Sequence, residues 1–375
     1  MAGKGRVSKR SRFGSVRKLP SRRYQASYWH FGERHVAPTT FRTSTEAEDW
    51  LSTEKVKVLN GSWINPSAGN MSLAELSARW LSANPGKRES TLSRDEIALR
   101  RHILPALAQR RISSITPVDV QSLVNRWSER QAPATVRRNY DVLRAVLNHA
   151  VRVDLLARTP CRGVNLPTVE PRYRRALTSD DVAKIAEAMP DDHALMVWLG
   201  AVMGFRWGEV AGLRMRSIDL HRLSISVTEQ VTRGIGGRTI IGPPKSKAGV
   251  RTLALPPELA ELVLQHISRR DLTSADGEAH LFVTVAGGPM GYSNFRRRIW
   301  EPATRVAGLS GVGFHDLRRA AATALVAEMV DIKTAQARLG HADPRLTLAI
   351  YAQATTDADQ LAAAKLGARF LSSRS

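Results

Sequence analysis

The chain has 375 residues, and its 56 Lys and Arg side chains outnumber 34 Asp and Glu, which gives a formal charge of +22 at pH 7. The only cysteine, Cys161, excludes an internal disulfide and a cysteine-based zinc site, and the apolar, uncharged run at residues 194–205 is too short to cross a membrane. Residues 1–175 hold 32 basic and 14 acidic side chains, so the excess lies in the first half and indicates a polyanion, above all nucleic acid, as the partner.

Residues 1–66 predict a small basic DNA-binding module of three strands and a helix. Alternating runs at residues 15–18, 23–29 and 35–41 are separated by turn residues, which is typical of short strands. A helix is expected to begin near Ser44, with acidic residues close to its positive end. The basic N-terminus lacks the apolar stretch of a signal peptide. The candidate DNA contacts of this module are Arg17, Lys18, Arg22 and Arg23.

Residues 67–165 predict a helical domain whose surface can bind DNA. Ser72 and Glu75 have the spacing of a capping box, and the longest amphipathic helix is expected over residues 133–153. Solvation accounts for a single arginine on that helix as well as phosphate contact does, whereas the arginine-rich face as a whole favours DNA. Residues 166–175 contain two prolines and predict a linker. The candidate contacts are Arg137, Arg138 and Arg144, and further helices are expected over residues 91–103 and 116–127.

Residues 176–375 predict a mainly helical domain with a small antiparallel sheet. A helix begins after Thr178, and residues 192–203 form a buried helix that ends at Gly204. The pair Gly236-Gly237 turns one strand into the next. The predicted fold class is therefore α+β with three domains, of which the first is a three-stranded sheet with a helix and the second is all-α. The strands of the last domain are expected over residues 223–232, 239–241 and 250–255.

Short patterns in this last domain combine residues that can bind a phosphate ester and stabilise its negative charge. Arg206 and Glu209 stand three apart, and so do His315 and Arg318, so each pair shares one face of a helix. Guanidinium groups match the geometry of two phosphate oxygens and can neutralise charge that builds on them. Taken singly, each pair is more often a structural or surface pair. The other patterns are Ser246-Lys247-Ala248-Gly249 in a predicted turn, and Leu339-Gly340-His341 ten residues before Tyr351.

In this order and spacing the patterns resemble the tyrosine recombinase family, which includes the lambda-type phage integrases and the bacterial Xer recombinases. The resemblance covers nearly the whole chain. Residues 176–360 are similar to the catalytic domain, residues 71–160 to the helical core-DNA-binding domain, and residues 14–60 to the arm-binding module of phage integrases. The resemblance implies a site-specific recombinase that integrates and excises phage or mobile-element DNA at attachment sites, without a metal, ATP or another cofactor.

By this resemblance Tyr351 is the nucleophile, which attacks a DNA phosphate and forms a 3′-phosphotyrosyl link. Lys247 is the general acid for the 5′ oxygen, although Lys245 is a rival of the same type two residues away. Glu209 supports Arg206. A phenol with a pKa of about 10 needs cationic neighbours before it becomes a good nucleophile. The residues expected to bind the phosphate are Arg206, Arg318, His315 and His341.

The resemblance further implies partners. These are double-stranded DNA with core and arm sites, other copies of the chain in a homotetramer on two DNA sites, a DNA-bending host factor and a directionality factor. The place of action would be the cytoplasm of a bacterial host, at the nucleoid. Residues 357–371 are rich in Ala and Leu and predict a tail helix, which packs either on its own subunit or on a neighbouring one.

The residues present in this sequence also bear on alternative functions of the same fold. A catalytically inactive DNA-binding regulator is expected to have lost Arg206, Arg318 or Tyr351, and this chain has all three. A Xer-type resolvase lacks an arm module, so residues 14–60 favour an integrase. A type IB topoisomerase has no evident use for such a module. A recombinase of a transposon or mobile island stays open as an alternative.

Overall fold

The computed structural model describes residues 13–65, 68–170, 176–345, 348, 363, 366 and 369. The chain divides into two compact units. The first consists of Met1–Lys87 and Arg94–Glu170, and the second of Arg88–Ser93 and Pro171–Ser375. The domain boundaries expected at residues 66 and 165 stay predictions. Among the helices in these described ranges, none combines the length and the hydropathy that a membrane crossing requires.

The first unit begins with a three-stranded antiparallel sheet that packs on one helix, as predicted. Its elements are β1 (Gly14–Lys18), β2 (Tyr24–His30), β3 (Glu33–Val36) and α1 (Ser44–Leu59). Ala26 and Tyr28 of β2 meet Ala47 and Leu51 of α1 in a small apolar core. Trp63 donates from Nε1 to the Tyr28 hydroxyl at 2.6 Å, so the chain after α1 folds back onto this core.

The rest of the first unit is helical because its apolar residues recur with helical spacing and converge on a second core. Capping boxes at Ser72 and Thr116 confirm the predicted helix starts. The helix expected from residue 91 starts earlier, at Glu89, and contains a π-helical turn, Leu99–Ile103. The helices here are α2 (Leu73–Ser82), α3 (Glu89–Ala98), whose residues up to Ser93 belong to the second unit, α4 (Leu104–Leu107), α5 (Pro117–Ser128) and α6 (Pro133–Arg152).

The second unit surrounds a third and larger core. Its first helices are α7 (Ser179–Ala188), α8 (Asp191–Ala201), α9 (Trp207–Ala211) and α10 (Pro257–Arg269). The later ones are α11 (Tyr292–Phe295), α12 (Glu301–Val306), α13 (Phe314–Ala327) and α14 (Ile332–Leu339). Its strands are β4 (Ile218–Asp219), β5 (Ser224–Val227), β6 (Gln230–Arg233), β7 (Thr239–Gly242) and β8 (Arg251–Ala254).

The single strand expected over residues 223–232 is wrong, because the structure divides this segment into β5 and β6. Strand β5 joins β4 and β8 in one antiparallel sheet, and β6 pairs with β7 in another. The break falls at Glu229, which accepts from Arg214 Nε at 2.7 Å and from Arg216 Nη2 at 3.2 Å. Since these arginines lie outside both sheets, alternation within the segment could not reveal the break.

Candidate active site

Arg206 is placed by the turn that follows the buried helix α8. Gly204 takes a left-handed conformation, with φ of +68°, and reverses the chain so that Arg206 becomes the N-cap of α9. Glu209, three residues on, accepts from the backbone N–H of Arg206 at 3.0 Å and from its Nη1 at 2.6 Å. The Glu209 side chain is 1% exposed and that of Arg206 is 38% exposed. The carboxylate therefore orients a guanidinium that still reaches the surface.

Arg318 and His315 lie one turn apart on α13, on the same face. Arg318 is buried, and it donates from Nη1 to the carbonyl of Gly204 at 2.7 Å and from Nη2 to the carbonyl of Leu339. Burial and the positive charge of Arg206 lower the pKa of Arg318 to about 9, so the side chain stays charged at neutral pH. His315 lies at the exposed edge beside it.

Helix α14 ends on Gly340, which is left-handed with φ of +62°, a conformation that costs little only for glycine. Its last carbonyls have no partners within the helix and carry the negative end of the helix dipole. Arginines from three separate segments bind three consecutive carbonyls here. The carbonyl of Arg338 accepts from Arg251 Nε at 2.9 Å, that of Leu339 from Arg318, and that of Gly340 from Arg206 Nη2 at 3.4 Å.

His341 follows directly and is buried beside these arginines. Burial, Arg318 and Arg206 lower the pKa of His341 to about 4. The pKa of His315 is lowered by the same causes, in the same order. Both imidazoles are therefore neutral at pH 7, and each can offer one N–H to an oxygen without adding a charge.

The site carries an excess of positive charge. Arg206 and Arg251 both pair with the carboxylate of Glu209, whose negative charge also acts on Arg318 without a hydrogen bond between them. Burial alone would raise the pKa of Glu209, but Arg251 and Arg206 hold it below its ordinary value. Such a cluster favours an anion with several oxygens, such as a phosphate. Among the described residues, no group of three or more His, Cys, Asp and Glu is arranged to hold a metal ion.

Lys247 opens a short turn, Lys247–Gly249, between β7 and β8, and its side chain is exposed. A Cβ atom added to Gly340 would lie 2.9 Å from the carbonyl oxygen of Ala248, so this turn packs against the end of α14. Lys245 is also exposed, just before the turn. The choice of Lys247 over Lys245 stays a prediction.

Tyr351 lies outside the described residues. Asp343 accepts from the backbone N–H of Arg345 at 2.9 Å, and the chain is helical at Pro344 and Arg345. An aspartate cap followed by a proline in the first turn is typical of a helix start. The role of Tyr351 as nucleophile stays a prediction.

Arg251 is the site residue that sequence reasoning missed. It starts β8, and its side chain is 7% exposed in an ion pair with Glu209. A signal was present, because in a strand Arg251 shares a face with the buried Leu253 and Leu255. A cation on the apolar face of a strand is rare unless it is paired.

The seven arginines and lysines expected to contact DNA in the first unit are all exposed. Some already have partners within the chain. Arg23 donates to Thr40 Oγ1 at 2.6 Å, Arg137 to the carbonyl of Pro167 at 2.8 Å, and Arg144 pairs with Asp141 at 2.9 Å. Their contacts with DNA stay predictions for Arg17, Lys18, Arg22, Arg23, Arg137, Arg138 and Arg144.

Comparison with known proteins gives matches along the chain. The model of the "Phage integrase family" matches residues 175–357, and models of the phage integrase N-terminal and central domains match residues 12–60 and 73–165. The chain is 30% identical over 343 residues to the prophage phiRv2 integrase of Mycobacterium tuberculosis, which covers 88% of this chain and 89% of that protein.

Solved structures share the fold at lower identity. The Tn1549 transposon integrase in complex with transposon right end DNA gives a TM-score of 0.66 and 20% identity, over 79% of this chain and 100% of that one. A lambda integrase tetramer bound to a Holliday junction gives 0.54 and 17%, over 89% of this chain and 94% of that one.

Proposed function

The chain belongs to the phage integrase family and is a site-specific tyrosine recombinase, and on this basis we propose that it cuts and rejoins DNA at attachment sites through Tyr351. The observation that carries the proposal is the cluster at the end of α14. There Arg206, Arg318 and His341, from three distant parts of the sequence, lie together and carry excess positive charge. A phosphodiester, which is an anion with several oxygens, is suited to this cluster.

The reaction proceeds by displacement at phosphorus. The phenol oxygen of Tyr351 loses its proton to solvent and forms a bond to the scissile phosphate, and the bond between phosphorus and the 5′ oxygen breaks. Lys247 donates a proton to that leaving oxygen. Arg206 and Arg318 neutralise the non-bridging oxygens, while neutral His315 and His341 donate hydrogen bonds to them. The 5′-hydroxyl of the partner strand reverses the step, so the energy of the bond is kept in the phosphotyrosyl link.

Double-stranded DNA is the partner of the whole chain. The lambda tetramer bound to a Holliday junction supports a homotetramer that exchanges strands through such a junction. The basic module at residues 13–65 is suited to an arm site and the helical part of the first unit to a core site. The cations proposed for these contacts are Arg17, Lys18, Arg22 and Arg23 for the arm site, and Arg137, Arg138 and Arg144 for the core site.

Binding to an arm site and a core site at once also implies accessory proteins. A chain that holds an arm site and a core site at once requires the DNA between them to bend, and bending costs free energy. A DNA-bending host factor lowers that cost, and a directionality factor selects integration or excision. The cytoplasm of a bacterial host, where the nucleoid lies, is the place where these partners meet.

A covalent-trapping experiment tests the proposal. Duplexes are first selected from a random-sequence pool by repeated capture on the full-length chain, and each is then nicked close to the cleavage position, so that the released fragment diffuses away. The wild-type chain is expected to form a covalent protein–DNA band. Tyr351→Phe is expected to form none, because phenylalanine has no oxygen to attack with.

Tyr292→Phe serves as the matched control, since Tyr292 lies on α11 against Trp207, and it should behave as wild type. An adduct that persists in Tyr351→Phe would contradict the assignment of the nucleophile. Binding without any adduct in the wild type would favour the catalytically inactive DNA-binding regulator.

A further inference from the structure

Arg251 donates hydrogen bonds to three parts of the site, namely the Lys247 turn, the last turn of α14 and Glu209. We propose that Arg251 is a positioning residue, which holds the Lys247 turn in a fixed place relative to the phosphate-binding arginines and His341. The proposal rests on the proposed function and assigns a role to a side chain that does not itself touch DNA.

The first step concerns the turn. Arg251 Nη1 donates to the carbonyl of Gly249 at 3.0 Å, and Gly249 is the last residue of the Lys247–Gly249 turn. Gly249 is buried, and its N–H donates to the carbonyl of Ser246 at 2.9 Å. The guanidinium therefore holds the far end of the turn that carries Lys247.

The second step concerns the helix. Arg251 Nε donates to the carbonyl of Arg338, in the last turn of α14, at 2.9 Å. Two residues later Gly340 packs on the turn so closely that an added Cβ atom would lie 2.9 Å from both the Ala248 oxygen and Arg251 Nη1. The turn and the segment that carries His341 are thus joined through one guanidinium.

The third step concerns Arg206. Arg251 Nη2 donates to Glu209 Oε2 at 2.9 Å, and Glu209 Oε1 accepts from Arg206 Nη1 at 2.6 Å. The carboxylate is 1% exposed, so both of its oxygens depend on these partners. Any shift of Arg251 is passed through Glu209 to Arg206.

A planar guanidinium is required for this role. Its three nitrogens point in three fixed directions, toward the turn, the helix and Glu209, and its plane lies over the Phe205 ring with Cζ 5.2 Å from the ring centre. A lysine ammonium in its place would keep the charge but could not bond in these fixed directions. Since Arg251 is only 7% exposed and each of its nitrogens is engaged, it acts through other residues.

Two substrates that differ in the leaving atom can distinguish a misplaced Lys247 from a general loss of structure. The selected, nicked duplexes are made in two forms, with oxygen or with sulfur at the 5′ bridging position. An alkoxide needs a proton to leave, whereas a thiolate, whose conjugate acid has a pKa of about 8.5, does not. Rates of adduct formation are measured for Arg251→Met, Arg251→Lys, Lys247→Met, Lys245→Met and Arg318→Met.

We expect both Arg251 variants to lose about 10²-fold or more on the oxygen substrate and to recover most of that loss on the sulfur substrate, as Lys247→Met does. Arg318→Met should stay slow on both, because the phosphate oxygens still need neutralising. Lys245→Met should resemble wild type. Arg214→Met is the matched control, because it removes a partly buried arginine that pairs with Glu229 away from the site, and it should cleave the oxygen substrate normally.

Several results would overturn the proposal. These are wild-type rates in the Arg251 variants, or equal losses on both substrates in a variant whose circular dichroism and melting temperature match wild type. If Arg251→Met fails to fold, Arg251→Lys, which keeps the charge, decides the matter. A wild-type chain that forms no adduct with either substrate contradicts the proposed function and this proposal with it. Active wild type with unaffected Arg251 variants contradicts this proposal alone.

Discussion

At the scale of single residues, the site is defined by how few negative charges it holds. Among the described residues, Glu209 accepts from Arg206 and Arg251, and Arg318 donates to backbone carbonyls only. Protonation of His315 or His341 would increase the repulsion between positive charges at the site. Burial and this repulsion lower the pKa of both imidazoles. The site thus keeps its binding capacity for an anion, while its histidines act as neutral donors.

His341 makes stability depend on pH. Its pKa is about 4 in the folded chain and about 6.5 when unfolded, so the unfolded state binds the extra proton between these values. Stability is therefore complete above about pH 6.5 and is lost as the pH falls toward 4, by roughly 3 kcal/mol from this residue. Buried His266 and half-buried His193 and His280, whose pKa values are lowered as well, add to the loss in the same direction.

Urea unfolding of the second unit between pH 7 and pH 4 measures this effect. His341→Gln, which cannot be protonated, is expected to lose clearly less stability over that range than wild type. His221→Gln replaces an exposed histidine and should follow wild type. Identical pH dependence in His341→Gln and wild type would show that His341 does not resist protonation in the fold.

At the scale of elements, the end of α14 is the meeting point of the site. Helix C-termini leave carbonyls without partners, and here arginines from α13, from β8 and from the N-cap of α9 supply the donors. The left-handed Gly340 turns the chain directly after these carbonyls and leads it to His341. The same arrangement needs a residue without a side chain, because the Lys247 turn lies against it.

Gly340→Ala is therefore expected to cost more than backbone strain alone. Alanine in the left-handed region costs about 1 to 2 kcal/mol, and here its Cβ would also press on the Ala248 oxygen and Arg251. Adduct formation should fall at least 10-fold by our estimate of a shifted Lys247 turn. The measurement is the adduct rate together with the melting temperature.

Gly308→Ala is the matched control, since Gly308 has φ of +73° and open space around its Cα. It should lower the melting temperature but leave the rate per folded molecule unchanged. Equal rates in Gly340→Ala and Gly308→Ala would mean that the close packing at Gly340 has no role in the reaction.

At the scale of the whole molecule, charge separates the two halves of the chain. The excess of basic residues in the first 175 positions is suited to DNA backbone binding, whereas residues 176–375 are nearly balanced, with 24 basic and 20 acidic side chains. Binding to any duplex should therefore be governed by the first unit and should weaken steeply as salt rises.

The slope of log affinity against log salt tests this division on random-sequence duplex DNA. Replacing Arg17, Lys18, Arg22 and Arg23 together with alanine is expected to reduce the slope by about 3, since each phosphate contact contributes roughly 0.9 and Arg23 already bonds within the chain. Replacing Arg137 and Arg144 should reduce it by about 1 at most, because both already bond within the chain.

Arg222→Ala, an exposed arginine beside Asp219 in the second unit, is the control and should leave the slope unchanged. If the four-fold variant keeps the wild-type slope, the module at the start of the chain does not bind phosphates.

The sequence by itself determined the local features of this protein. Helix starts at Ser72, Thr116 and Thr178, and the left-handed end of α14 at Gly340, depend on residues within one turn of each other. The pairing of Arg206 with Glu209 is local in the same way. Spacing along the chain is enough to predict such features.

Only the tertiary structure decided which distant residues meet. Nothing in the spacing joins Arg251 to Glu209 or to the carbonyl of Arg338, 87 positions away, and Glu229 divides a strand by reaching arginines outside it. These contacts exist because the cores bring separate segments together. A buried polar group without a hydrogen-bond partner costs free energy, so the polar groups that meet there tend to pair. Pairing between distant residues depends on how the segments pack, and the periodicity of a single segment carries no information about that packing.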